Sequence, residues 1–266
     1  MTPVIKLSSP ETREFWEIPV LHEDNSLLAM EKPSRLLISP DRYDPNRPNL
    51  MKLIHAAVEA GKPWAAERKL NYLMNAHRLD FETSGVLLLA KSKPVLVALA
   101  DLFGTEKPLK TYIALVHGHP LKDEFEVDAK LAPHPVKLGL IRVDEKGGKR
   151  SRTTFKCIEK FRNHSLIECH PLTGRTHQIR VHLRHAGMPI VGDELYGGGK
   201  LLLSELKPDF RLKPKKTENP LMDRVALHAT HLSLTHPVTK EQVAIESPWP
   251  KDIKVALKYL RQYAAL

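Results

Sequence analysis

Cysteine is nearly absent from this 266-residue chain: Cys157 and Cys169 are its only two. They are too few for a disulfide framework and too far apart for a C-x-x-C redox or zinc pair, so both are expected reduced, in strands. No apolar run approaches the roughly 18 residues that a membrane-spanning helix needs. Residues 1–19, with Glu11, Arg13, Glu14 and Glu17, hold no signal-peptide core. A cytoplasmic location and no membrane partner are the expectations. H-E-x-x-H, paired C-x-x-C and carboxylate clusters of metal spacing are also missing, so no metal site is expected. The run Gly197-Gly198-Gly199-Lys200 lacks the Ser/Thr and upstream glycine of a phosphate-binding loop and reads as a flexible turn. With neither an internal repeat nor a Gly/Ser-rich linker, one domain over 1–266 is the simplest organisation, residues 1–17 forming an N-terminal extension.

What the chain has in excess is positive charge. Lysine and arginine total 41 against 31 acidic residues, a formal net charge of +10. Such a surface attracts polyanions through counterion release and long-range steering, although a basic protein with a well-solvated surface has the same balance. A hydrophobic fraction of 42% and a charged fraction of 27% are those of a soluble folded protein.

Strands are predicted at 18–22, 27–31, 86–90, 110–116, 125–131, 152–158, 164–169, 226–234 and 242–246. Asn49 is placed to cap a helix that Gly61 closes; further helices are predicted over 93–103, over 176–185 ending at Gly187, and through Val255, Leu257 and Leu260. Residues 200–224, with seven basic residues and three prolines, read as an exposed basic loop. Strands and helices without a regular βαβ rhythm predict an α+β sheet fold.

Three segments could carry chemistry. In Ala76-His77-Arg78-Leu79-Asp80-Phe81-Glu82-Thr83-Ser84-Gly85 a lone carboxylate stands among basic side chains and hydroxyls just before a buried strand. An aspartate beside arginine stays ionised, as a nucleophile or base must, but a surface turn with an Asp–Arg contact has the same composition. Pro171-Leu172-Thr173-Gly174-Arg175-Thr176-His177 leads into Gln178-Ile179-Arg180-Val181-His182-Leu183, where a helix start could hold a phosphate or orient a carboxylate; a capped helix with solvated basic residues fits equally. Lys110 and Tyr112 share one face of a strand, and Tyr112 is either a stacking platform for a base or a packing residue.

These three segments in this order, followed by Gly192-Asp193-Glu194-Leu195-Tyr196-Gly197, resemble the RluA family of pseudouridine synthases, whose signature reads H-R-L-D-x-x-T-S-G, K-x-Y, G-R-x-H-Q-I-R-x-H-L and G-D-x-x-Y-G. Glu31-Lys32-Pro33-Ser34, Leu227-His228-Ala229 and His236-Pro237 extend the similarity over about Ile18 to Pro250. Two positions depart from the pattern: Phe81 stands where the family is commonly basic, and Arg35 where it usually has glycine after K-P-S.

The resemblance implies a pseudouridine synthase fold, a mixed and mainly antiparallel central sheet with flanking helices and loops around an RNA-binding cleft. It implies isomerisation of a uridine in ribosomal or transfer RNA by a monomer without cofactor or metal. Residue by residue it implies Asp80 as nucleophile or base at the ribose, Tyr112 packed on the uracil as an acceptor for its proton, and Arg175 as ion-pair partner of Asp80. Arg78 would fill the gap left by a flipped base, since a stacked uridine hides its glycosidic bond. Further RNA contacts are expected from His77, Lys110, Thr176, His177, Arg180, Lys213, Lys215 and Lys216; His77, Thr83 and Gly85 would also hold the Asp80 loop. Many members carry a small RNA-binding domain in front, and too few residues precede Ile18 for one. A non-enzymatic RNA-binding or ribosome-assembly protein that has kept the fold is the alternative, against which Asp80, Tyr112 and Arg175 stand intact. A glycosidic hydrolase would want a second acidic group, and none stands out.

Overall fold

The computed structural model describes residues 3–41, 44, 46–105, 108–212 and 216–266. In chain order the elements are β1 (Val4–Ser8), β2 (Phe15–Glu23), β3 (Leu27–Lys32), α1 (Leu50–Glu59), α2 (Pro63–Glu67), β4 (Met74–Asn75), β5 (Ser84–Ala90), α3 (Lys93–Gly104), β6 (Leu109–His117), β7 (Glu124–Pro133), β8 (Ile141–Val143), β9 (Lys149–Lys160), β10 (His164–Pro171), α4 (Gln178–His185), α5 (Leu203–Leu206), β11 (Leu227–Thr235), β12 (Gln242–Glu246) and α6 (Lys251–Tyr263). The predicted α+β class is the observed one. The residues divide into two compact units, Met1–Leu109 with Ala229–Pro248, and Lys110–His228 with Trp249–Leu266. No composition shift marks these boundaries, because the chain changes units inside β6, inside β11 and in the short connection between β12 and α6.

In the first unit the strands run β1-β2-β3-β5-β11, with β4 on β5 and β12 on β11. Strands β3 and β5 are buried on both faces, which is why both read as unbroken apolar runs rather than alternating ones. Leu27, Ala29, Val86, Leu88 and Ala90 pack with Leu232, Leu234 and Ile245 against Val95 and Leu99 of α3. Asn49 caps α1 as predicted, its side chain accepting from the Lys52 N–H at 2.9 Å. Residues 1–17, set apart as an extension, instead contribute β1, which pairs antiparallel with β2 and buries Ile5 and Leu7.

In the second unit the order is β6-β10-β9-β7-β8, and β10 is antiparallel to both β6 and β9. Ile113–Val116, Leu166, Ile167 and Cys169 form a core with Ile179 and Leu183 of α4 and with Ile253, Ala256, Leu257 and Leu260 of α6. The exposed basic residues of β9 are answered by β7: Arg150 by Asp128, Arg152 by Glu126 and Lys156 by Glu124.

Residues 200–224 are not one exposed loop. Leu201, Leu206 and Met222 join the core, and Arg224 is 7% exposed with its guanidinium forked onto Asp252 at 2.6 and 3.1 Å. The leucines supply apolar surface that the lysine count concealed. Nor is the triple glycine a loose turn: the Gly198 N–H donates to the Asp193 carbonyl, and a Cβ there would fall on the Ile190 carbonyl.

Candidate active site

Asp80 sits in the first unit, in the loop between β4 and β5, and is half-buried. Its loop is stapled from behind by the segment that follows β3. The Lys32 ammonium, wholly buried, donates to the carbonyls of Pro33 at 2.7 Å, Thr83 at 2.9 Å and Phe81 at 3.3 Å. The Ser34 hydroxyl donates to the Glu82 carbonyl at 2.7 Å, and the Arg35 N–H to the Phe81 carbonyl at 2.8 Å. Carbonyls of three successive residues after Asp80 are therefore held, and the carboxylate is presented by a fixed turn. A buried charge among carbonyls is costly to leave unmatched, which ties the position of Lys32 to that of the loop.

The rest of the motif is explained by packing. Thr83 and Ser84 are buried, and Gly85 has φ +115° where a Cβ would fall on the Ala229 carbonyl of β11, so no other residue fits. His77 accepts the Leu88 N–H on Nε2 at 3.1 Å and lies against Phe103, which fixes the start of the loop. Arg78 is exposed, between half-buried His77 and buried Leu79.

In the second unit Tyr112 lies on β6 opposite Cys169 and packs on the core edge, with Lys110 on its face of the strand. The segment 171–185 departs from its predicted form: α4 begins at Gln178 rather than Thr176, because His177 adopts φ +54°. Arg175 and Thr176 are exposed, and Arg175 donates Nε–H to the Arg150 carbonyl at 3.1 Å. Gln178 organises this turn from beneath. Its Oε1 accepts from the Thr173 hydroxyl at 2.6 Å and the Arg175 N–H at 3.0 Å.

Arg180, expected to face RNA, is buried and forks onto Asp193 at 2.7 and 2.8 Å, its guanidinium also lying over the Tyr196 ring. The Tyr196 hydroxyl meets His177 Nδ1 at 2.8 Å and accepts the Ile141 N–H at 3.0 Å. The G-D-x-x-Y-G segment is thus the internal partner of α4. Lys216 is exposed; Lys213 and Lys215 lie outside the described residues. Lys32 and Gln178 went unselected by sequence reasoning, although each stands inside a recognised motif. A lysine flanked by apolar strand and proline, and a glutamine at the start of a helix, were the available signals.

Among the described residues no helix is long and apolar enough to cross a membrane. The RNA pseudouridylate synthase family profile matches residues 26–185. The ribosomal large subunit pseudouridine synthase D of Zymomonas mobilis is 33% identical over 261 residues, 96% of this chain and 77% of that protein. The ribosomal large subunit pseudouridine synthase C of Escherichia coli (strain K12) is 35% identical over 244 residues, 91% of this chain and 70% of that protein. The solved structure of human RNA pseudouridylate synthase domain containing 4 superposes with a TM-score of 0.67 over 91% of this chain and 92% of the other, at 23% identity, a likeness of fold. The fold and the motifs are those of an enzyme that isomerises uridine within RNA. The chain belongs to the RNA pseudouridylate synthase family.

Proposed function

We propose that the substrate is large-subunit ribosomal RNA and that Asp80 carries the reaction. The support for the RNA is that both relatives are ribosomal large subunit pseudouridine synthases, each matched over most of this chain. The support for Asp80 is the stapled turn: buried Lys32, Ser34 and Arg35 hold the carbonyls of Phe81, Glu82 and Thr83, so a half-exposed carboxylate stands on immobile backbone. Fixed placement of a reacting group is worth several kcal/mol of barrier.

In this reading Asp80 engages the ribose of a flipped uridine, as nucleophile or base, while the N-glycosidic bond breaks. The uracil turns against the Tyr112 ring, its C5 bonds to the same sugar carbon, and the C5 proton passes to the Tyr112 oxygen. Arg175 serves as the cationic partner of the Asp80 carboxylate. Arg78, Lys110, Thr176, His177 and the loop lysines contact RNA, while His77 and Arg180 serve the fold. The chain acts as a single catalytic domain, a cytoplasmic monomer that uses no metal or cofactor. Asp80→Asn should abolish pseudouridine formation and leave RNA affinity within a few-fold, because the amide keeps the shape without the chemistry. Mapping pseudouridine in ribosomal and transfer RNA from a strain lacking the gene tests the substrate. A missing site in transfer RNA alone would redirect the proposal.

A further inference from the structure

Five side chains beneath the Arg175 turn are joined in one chain of hydrogen bonds whose donor order is forced. The Ser151 hydroxyl donates to the Ala129 carbonyl at 2.6 Å, which spends its only proton, so at 3.0 Å it must accept from His182 Nε2–H. A neutral His182 then offers Nδ1 as acceptor to the Thr153 hydroxyl at 2.9 Å. Thr153 in turn accepts from Gln178 Nε2–H at 2.9 Å, and the second hydrogen of that amide goes to the Arg152 carbonyl at 3.0 Å. This orients the Gln178 amide with its oxygen toward Thr173 and the Arg175 N–H. Ser151, Thr153, Thr173, Gln178 and His182 are all buried. Burial, then the charge of His185 against the opposing pull of Asp128, pushes the His182 pKa down to about 4, in keeping with a neutral ring.

We propose that Thr153, Gln178 and His182 are positioning residues of the isomerisation, acting as a directional relay that sets the backbone pose of Arg175. The inference rests on Arg175 serving the reaction, as read above. Each link has one allowed direction. Deleting the hydroxyl of Thr153 takes one of two acceptors from the Gln178 amide nitrogen and the donor from His182 Nδ1, leaving the Arg152 carbonyl to hold that nitrogen alone. The amide, and the Arg175 N–H bound to its oxygen, are then less firmly placed while the core beneath keeps its shape.

Thr153→Val removes the hydroxyl at nearly constant volume, and Thr153→Ser retains it. Gln178→Met breaks the same chain at its next link and runs in parallel, so that either folded variant decides the outcome. The reaction is read as single-turnover release of the C5 hydrogen from a large-subunit ribosomal RNA transcript carrying 5-tritiated uridine. RNA affinity and melting temperature are measured on the same preparations. Thr153→Val and Gln178→Met should turn over roughly ten- to a hundredfold more slowly at saturating RNA, the scale of a small misplacement of reacting groups. Their RNA affinity should stay within about twofold, and Thr153→Ser should recover most of the rate. Purely structural residues would lower the melting temperature without this rate loss. A wild-type rate in folded Thr153→Val or Gln178→Met, or a Thr153→Ser as slow as Thr153→Val, overturns the relay. Arg175→Met separates the two levels. If it is slow while Thr153→Val is not, the relay alone is wrong; if it turns over at the wild-type rate, the role of Arg175 falls and the relay with it.

Discussion

The Arg47 guanidinium lies over the Phe81 ring, 4.1 Å from its centroid, one residue beyond the proposed catalytic Asp80. Arg47 also reaches the Asp41 carboxylate at 3.3 Å. Where related sequences commonly carry a basic residue after the aspartate, this chain has Phe81, and a cation from elsewhere in the same unit stands above it. We predict that Arg47→Ala weakens RNA binding and lowers the slope of log affinity against log salt by about 0.7–0.9, one phosphate contact. Phe81→Leu, which removes the platform, should show part of the same effect. An unchanged salt slope in Arg47→Ala would take this arginine out of the RNA interface.

Lys32 tests the staple. Lys32→Met keeps the length of the side chain and takes the ammonium from the carbonyls of Pro33, Phe81 and Thr83, of which Phe81 keeps the Arg35 N–H. A loss of about 3 kcal/mol is expected, from hydrogen bonds to a charged donor and acceptors left buried without one. Urea unfolding should show an earlier midpoint at unchanged slope. A midpoint equal to wild type would mean that these bonds contribute no net stability.

Arg35 carries φ +61°, a conformation that disfavours any residue with a Cβ, while its side chain is half exposed and 3.9 Å from Glu82. Arg35→Gly should raise stability by about 1 kcal/mol, the left-handed penalty less the entropy glycine adds to the unfolded chain. Thermal melts decide the sign, and a lower melting temperature would assign the greater share to the side chain's contacts.

Acid should loosen the second unit before its carboxylates titrate. Burial, followed by the charges of His117 and His119, pushes the His164 pKa down to about 4, and His182 also falls to about 4 through burial, with His185 nearby and Asp128 opposing. Both histidines titrate at an ordinary 6.5 when unfolded. The stabilisation is therefore whole above pH 6.5 and drains away as pH falls toward 4, where folded and unfolded states bind protons alike. Urea midpoints should hold from about pH 7.5 to the ordinary histidine value of 6.5 and fall from there as pH drops toward about 4, and His164→Phe should flatten the fall. A profile level from 7.5 to 5 contradicts the assignment.

Much of this was legible in the sequence. Helix α1 announced itself through Asn49 and its apolar spacing, and β5 through five apolar residues in a row, because both signals are local. What stayed hidden depends on distant partners. Strand β1 has only Val4, Ile5 and Leu7 to suggest it and exists by pairing with β2. Arg180 reads as a surface cation until Asp193, thirteen residues on, takes its guanidinium. Thr153 is an ordinary strand threonine by composition; only the fold brings Gln178 and His182 onto either side of its oxygen. The recognised motifs located the candidate site, but which of their residues face outward and which hold the turn from within was decided by packing.

The notch at Gly85 that receives the Ala229 backbone sets an order of assembly as well as a shape. During synthesis β5 is complete at Ala90, yet β11, which lies beside the Gly85 end of it, begins only at Leu227. At ribosomal speeds of roughly 5–20 residues per second the interval is on the order of ten seconds. For that time only the Ser84-Gly85-Val86 end of β5 waits for its neighbour on that side, because β4, Ala76 and His77 already hold the Leu88 to Ala90 end. The first unit is thus finished late, by a segment made after most of the second, and the earlier-made β4 shields most of its most apolar strand from wrong partners in the meantime.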